Sequence, residues 1–383
     1  MAVPVRVSRP GRWFAGIYGR EPEGIWFAPG RVNLMGGPDY AEVFVLPFAL
    51  GSGVAAAAAR RSDRRLALVS RHAPGEPVVA DIDRLEPGSV SGWAAYPAGV
   101  AWALRRAGHL AGGADVAIDA DLPVGAGLSS SAALECATAL ALTGLYQVPV
   151  PRQELASLTH DAENEFVGVP SGIMDQIAAL LCRAGQALLL DCRHGTGTAV
   201  PLDPAAAGLT LLVIDTRARH ALGDGRYAER RRACARAASA LGVRALRDIT
   251  DVRELAGLAD PSLKRLSGHV VAERRRVLDA AGLLRAGHQA AVGTLLTASH
   301  RSLRDNFQVS WPQADHAVEA AIGAGAAGAR MTGGGFGGCV VALAPAERAT
   351  QVRQAVTGRF ARNHWPAPRY LAAVPSDGAR RLR

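Results

Sequence analysis

A chain of 383 residues is longer than one hydrophobic core usually serves, so two domains are expected, residues 1–200 and 201–383. An apolar fraction of 49% and a charged fraction of 20% exclude a disordered or fibrous chain. The formal charge of +9 could suit nucleic acid, yet the positive side chains are nearly all scattered arginines, with Lys264 the single lysine.

Neither an aromatic-interleaved basic strip nor zinc-finger spacing accompanies those arginines, so nucleic acid is not an expected partner. A surplus of positive charge also suits an enzyme that attracts an anionic substrate. The five cysteines (Cys136, Cys182, Cys192, Cys234 and Cys339) are odd in number and form no C-x-x-C pair, which reads as free, buried thiols in a reducing compartment. The N-terminus lacks a charged segment leading into an apolar run with a cleavage site. The most apolar stretch, from Phe44 to Ala59, is interrupted by Pro47, Gly51, Ser52 and Gly53 and cannot form a bilayer-spanning helix. A cytoplasmic protein without a membrane partner is expected.

In chain order, the apolar runs 24–28 and 43–46 flank a polar loop and predict strand–loop–strand. Residues 114–122 alternate Val116, Ile118, Ala120 and Leu122 with smaller or polar neighbours, the pattern of a half-buried strand. The Ala- and Leu-rich stretch from Ser129 to Tyr146 predicts a buried helix. Pro151 opens a second helix with Leu155, Leu158 and Phe166 on one face, ending at the turn 168–172. A third helix is predicted from Ile173 to Leu181, and strands over 187–190 and 209–214. Residues 227–241 and 266–304 read as Arg-rich helices, and 339–343 as a last strand. Strands and helices alternate without βαβ regularity, which favours an α+β chain.

Three segments carry chemistry. The first, Pro123-Val-Gly-Ala-Gly-Leu-Ser-Ser-Ser-Ala-Ala133, lies between a predicted strand and a predicted helix. Gly125 and Gly127 allow backbone N–H groups close to an anion, and the helix N-terminus adds free donors. Ser129, Ser130 and Ser131 offer hydroxyls to phosphate or a magnesium ion. No G-K-[S/T] follows, so this is not a Walker loop. Alone it reads equally well as a glycine turn with serine caps.

The second segment, Gly168-Val-Pro-Ser-Gly-Ile-Met-Asp-Gln176, throws Asp175 onto the first turn of a helix, where negative charge is favoured. That carboxylate could accept a hydroxyl proton; by itself it is also an ordinary helix-start residue. Glu163 could ligate magnesium, although its neighbours Asp161 and Glu165 also fit a solvated acidic face. The third segment, Met331-Thr-Gly-Gly-Gly-Phe-Gly-Gly-Cys339, implies backbone packed closely against something, or simply a tight turn.

Together these segments resemble the three fingerprints of the galactokinase branch of the GHMP kinase superfamily. Gly30-Arg-Val-Asn-Leu34 with Asp39-Tyr40, Arg219-His-Ala-Leu222 with Tyr227, and His300-Arg-Ser-Leu-Arg-Asp305 extend the likeness from about Arg12 to Leu343. The resemblance implies a two-part α+β fold. An N-terminal domain like ribosomal protein S5 domain 2 would face a ferredoxin-like C-terminal domain, with the active site between them. It implies an ATP-dependent sugar 1-kinase with Mg2+ as cofactor, acting as a monomer or weak homo-oligomer. On that likeness Gly125, Ala126, Gly127, Leu128, Ser129, Ser130, Ser131 and Ala132 form the phosphate loop, and Ser131 with Glu163 holds magnesium. Asp175 acts as base or orienter beside Arg31; Asp39, Gly172 and Tyr227 contact the sugar; Gly334 and Gly335 close the cleft floor.

One departure stands out. Where the family reads G-E-H-T-D-Y, this chain reads Gly36-Gly37-Pro38-Asp39-Tyr40, one residue shorter and without the Glu and His that the family places at the sugar's C6 hydroxyl. The acceptor is then either galactose, with C6 recognised otherwise, or a sugar altered at C6 such as L-arabinose. A sensor that binds sugar and ATP only to signal is a third reading, opposed by the intact Ser129–Ser131 run.

Overall fold

The computed structural model describes residues 8–122, 125, 127–219 and 225–383. Helix α1 (Ser8–Tyr18) precedes two long strands, β1 (Gly24–Gly36) and β2 (Phe44–Arg60). The hairpin β3 (Arg65–Ser70) and β4 (Ala73–Asp81) leads to α2 (Ala95–Arg106), β5 (Ala114–Ala120) and α3 (Ser130–Leu145). Helices α4 (Arg152–Asp161) and α5 (Met174–Leu181) follow, then the hairpin β6 (Gln186–Asp191) and β7 (Thr196–Pro201). The chain continues through β8 (Leu209–Asp215), α6 (Arg226–Ala240), α7 (Pro261–Arg285), α8 (Val292–Ser302) and α9 (Pro312–Gly323). It closes with β9 (Gly328–Thr332), β10 (Cys339–Pro345), α10 (Ala349–Arg362), β11 (Arg369–Ala373) and β12 (Arg380–Arg381).

The strands form two sheets. The first has the order β12-β1-β2-β5-β3-β4, with β6 added against β2 and β7 against β6. Its pairs are antiparallel except β3 with β5. The second sheet, β11-β8-β10-β9, is antiparallel throughout. The chain changes sheets between Pro201 and Leu209, yet β12 returns to pair Trp26 with Arg381 in the first sheet. This mixed, largely antiparallel arrangement is the α+β class read from the sequence.

The apolar stretch from Phe44 to Ala59 is strand β2, and period-2 alternation explains its run of alanines. Ala56 and Ala58 face the main core under α3, while Ala55, Ala57 and Ala59 face a second cluster with Phe14 of α1, Ile25 and Phe27. Small side chains let helices close on both faces of one strand. Register shifts between Pro29 and Arg31, and between Asn33 and Gly36, bend β1 where it passes the cleft.

Two sequence readings need correction. The stretch 266–304, read as helical, is broken into two helices, and the first, α7, begins earlier, at Pro261, with Asp260 accepting from the N–H groups of Ser262 and Leu263. It ends before Gly287, whose φ of +77° stops a helix. The helix expected from Ser129 starts at Ser130, because Ser129 is left-handed (φ 59°, ψ 48°). Helices α1, α2, α9 and α10 and strands β3, β4, β7, β9, β11 and β12 went unread.

Candidate active site

The cleft between the two sheets gathers residues from every fingerprint. Arg31, Asp39, Gly125, Gly127, Ser129, Ser130, Ser131, Glu163, Gly172, Asp175, Tyr227 and Gly334 all line it. Leu128 and Ala132 are buried beneath the wall, and Gly335 packs against Val309 instead. Ala126 lies outside the described residues, as do Pro123, Val124 and His220 to Leu222.

At the centre, the Arg31 guanidinium forks onto the Asp175 carboxylate, with Nε donating to Oδ1 at 2.7 Å and Nη2 to Oδ2 at 2.9 Å. Its third nitrogen donates to the Gly127 carbonyl at 2.8 Å, and the Arg31 backbone N–H to the Leu128 carbonyl at 3.1 Å. Strand β1 therefore ties the glycine loop to the start of α5. The Ser129 hydroxyl donates to Asp175 Oδ2 at 2.5 Å and makes no helix cap. The left-handed backbone at Ser129 turns that hydroxyl to the cleft.

The third glycine segment packs on the first. A Cβ added to Gly333 would stand 3.0 Å from the Gly127 carbonyl oxygen, so the two loops meet backbone to backbone. The Thr332 hydroxyl donates to the Asn33 carbonyl at 2.9 Å, which fastens β9 to β1 at the same level.

Asp39 sits on the cleft wall with a glycine under its carboxylate. A Cβ on Gly172 would fall 2.2 Å from Oδ2. Asp39 accepts from the N–H groups of Tyr40 at 3.0 Å and Met174 at 3.4 Å. Burial, then the negative charge of Asp175, pushes its carboxyl up to about 6. Tyr40 meets Tyr227 edge-on, with ring centroids 5.2 Å apart. Burial raises both phenols well above their ordinary value, so they stay protonated as donors.

Glu163 is only 5% exposed, while Asp161 and Glu165 keep about half their side-chain surface in solvent, so the acidic run is not one solvated face. Glu163 accepts from the Ser171 hydroxyl and the Gln176 amide, each at 2.8 Å, with the Ser131 hydroxyl as a further donor. Burial raises its pKa. The second hydrogen of the Gln176 amide reaches Glu135, a fully buried carboxyl whose pKa burial raises well above its ordinary value.

Sequence reasoning missed the support under Gly36. Glu273 of α7 accepts from the Gly36 N–H at 3.1 Å and pairs at 3.2 Å with Arg330 of β9, both fully buried. Arg276 and Ser299 complete its contacts at 2.6 and 2.5 Å. A lone arginine inside the apolar strand Gly328–Thr332 was the available signal.

Comparison with known proteins agrees with this geometry. Residues 95–183 match the GHMP kinases N terminal domain, 280–362 the GHMP kinases C terminal domain, and 12–60 the galactokinase galactose-binding signature. A galactokinase of Streptomyces coelicolor is 48% identical over 377 residues, covering 97% of each chain. The chain belongs to the galactokinase family. A Mycobacterium tuberculosis galactokinase is 42% identical, covering 93% of this chain and 98% of its own. The crystal structure of Lactococcus lactis galactokinase complexed with galactose superposes with a TM-score of 0.93 at 30% identity, covering 98% of this chain and all of that one. A Methanococcus jannaschii mevalonate kinase, 16% identical with a TM-score of 0.67, shares the fold. This member of the galactokinase family is thus a sugar kinase with the GHMP fold, a phosphotransferase to an alcohol acceptor that draws on ATP. The galactose-binding signature spans the turn Gly36-Gly37-Pro38-Asp39-Tyr40.

Proposed function

We propose that the enzyme transfers the γ-phosphoryl group of ATP to the anomeric hydroxyl of galactose. The observation that carries this reading is the cluster of Arg31, Ser129 and Asp175 facing Asp39 in one cleft. The glycine loop from Gly125 to Ala132 cradles the phosphates through backbone N–H groups and the N-terminus of α3. Asp39, Gly172 and Tyr227 hold the sugar. Asp175 receives the C1 hydroxyl proton as the new O–P bond forms and the bond to ADP breaks, or orients that hydroxyl. Arg31 offsets charge on the transferring group. Most of the rate comes from positioning and charge compensation.

Ser131 and Glu163 suit Mg2+, since they bring a hydroxyl and a buried carboxylate together at the phosphate loop, and that ion takes few protein oxygens. When bound, Mg2+ neutralises phosphate charge. We assign residues 1–200 and 201–383 to the two domains. The described residues contain no helix long and apolar enough to cross a membrane. A cytoplasmic location, where five free thiols stay reduced, belongs to the same reading. Among the described residues, exposed large apolar side chains are spread over six segments, which supports a monomer or weak homo-oligomer.

A second reading, L-arabinose as acceptor, is favoured by one observation. The wall at Gly36, Gly37 and Pro38 presents no ionisable side chain. ATP consumption measured with a panel of monosaccharides tests both. Galactose should be preferred; preference for L-arabinose selects the second reading, and a panel without turnover overturns both.

A further inference from the structure

The sugar-side turn is closed by an unusual residue. Asp39, Tyr40 and Ala41 form one turn of 3-10 helix, and Glu42 ends it in the left-handed conformation (φ 60°, ψ 24°), its N–H donating to the Asp39 carbonyl at 2.9 Å. A non-glycine residue there stores backbone strain and persists only where its surroundings over-determine it.

Those surroundings are arginines from elsewhere in the chain. Arg193, in the turn after β6, donates to Glu42 Oε2 at 2.5 Å and grips Asp248 with two bonds of 2.7 and 3.0 Å. Arg244 donates to Glu42 Oε1 at 3.1 Å. Arg247 donates to the Glu42 carbonyl at 2.9 Å, forks onto Asp191, and lies over the Phe44 ring at 4.9 Å. The segment 244–248 follows α6, which carries Tyr227 against Tyr40. Every polar group of Glu42 is therefore fixed, three by Arg193, Arg244 and Arg247 and the fourth, its N–H, by the Asp39 carbonyl, which sets the Asp39 backbone.

We propose that Glu42 is a positioning residue for the sugar: the Glu42–Arg193–Arg244–Arg247 lattice holds Asp39 and Tyr40 in place and couples them to the segment carrying Tyr227. The inference rests on Asp39 being a sugar contact. None of the lattice residues lines the cleft. The lattice acts on sugar affinity and leaves the nucleotide end of the cleft alone.

The test compares galactose KM, ATP KM, kcat and Tm for Glu42→Gln, Glu42→Gly and Asp39→Ala. Glycine accepts the left-handed backbone but lacks the carboxylate, so it separates the turn from the lattice. Both Glu42 variants should raise galactose KM by about tenfold while ATP KM stays within about twofold. A wild-type galactose KM in Glu42→Gly overturns the proposal, and so does an equal rise in both KM values, which marks a general structural role. If Asp39→Ala leaves galactose KM unchanged, Asp39 does not hold the sugar; if Asp39→Ala raises it and Glu42→Gln does not, only the lattice proposal falls. Should the Glu42 variants not fold, Arg244→Met, at a side chain 71% exposed, carries the same comparison with a rise of about threefold expected and no rise overturning it.

Discussion

Arg31 and Asp175 stand 144 residues apart in sequence and meet through two hydrogen bonds of 2.7 and 2.9 Å. The fork fixes the carboxylate plane while Ser129 fills a third position on Oδ2. Asp175→Asn cannot accept a proton and turns an amide donor toward Arg31. Its kcat should fall by about a hundredfold or more, with ATP affinity changed only a few-fold. A variant that keeps more than about a tenth of wild-type kcat would show that Asp175 is not essential.

Ser131→Ala and Glu163→Ala each remove an oxygen from the assigned magnesium site. Both should raise the Mg2+ concentration needed for half-maximal activity by several-fold, and weaken Mn2+ binding measured directly with the nucleotide present. Unchanged titrations in both variants would defeat the assignment.

Asp39 sets a pH limb. With its carboxyl pushed up to about 6, Asp39 in the sugar-binding role proposed for it accepts from sugar hydroxyls above that pH and loses that capacity as it protonates below it. Arg31, Asp175 and His160 are the charged groups that face it. The galactose kcat/KM should therefore fall roughly tenfold per pH unit below 6. Asp39→Asn should be poorer throughout and lack this limb; an acid limb preserved in that variant assigns it elsewhere.

Discrimination at C6 is the next test. Without Glu and His in the Gly36–Asp39 turn, D-galactose, its 6-deoxy form D-fucose and L-arabinose should have kcat/KM values within roughly tenfold of one another. Asp39→Ala should cripple all three. A galactose preference of a hundredfold or more over both analogues would mean that another group recognises C6.

Glu273→Ala leaves Arg330 buried without its carboxylate, a loss expected to cost about 3–5 kcal/mol of stability by denaturant titration. Burial pushes Glu273 up, but Arg330, His269 and Arg276 outweigh it and hold the carboxyl down at about 2. Its contribution is thus complete above the unfolded value of about 4.5 and fades as pH falls towards 2, so wild-type and variant stabilities should converge in acid. A constant gap across that range would refute the sign.

The parts of the site legible in the sequence are those with local chemistry. Glycine loops, a proline turn before Asp175 and a serine run announce themselves within ten residues, and α3, α5, β5 and β10 follow from periodicity and flanking breakers. What stayed hidden depends on distant partners. Nothing near Glu42 reveals that three arginines converge on it, and nothing near Glu273 points to residue 330. Glu163 shares an acidic helix end with Asp161 and Glu165; only packing against Ser171 and Gln176 distinguishes it. Strand β2 was obscured by alanines, poor strand formers that tertiary packing overrides.

Strand β12 has a consequence for how the molecule is made. Arg380 and Arg381 lie over the rings of Phe27 and Trp26, and Leu382 and Arg383 hydrogen-bond to Ile25. The start of β1, Ile25 to Phe27, is thus paired by residues that leave the ribosome after nearly the whole second half has been synthesised. At ordinary elongation rates β1 waits some tens of seconds for that neighbour. Until then that apolar stretch of strand edge is open to nascent chains and chaperones.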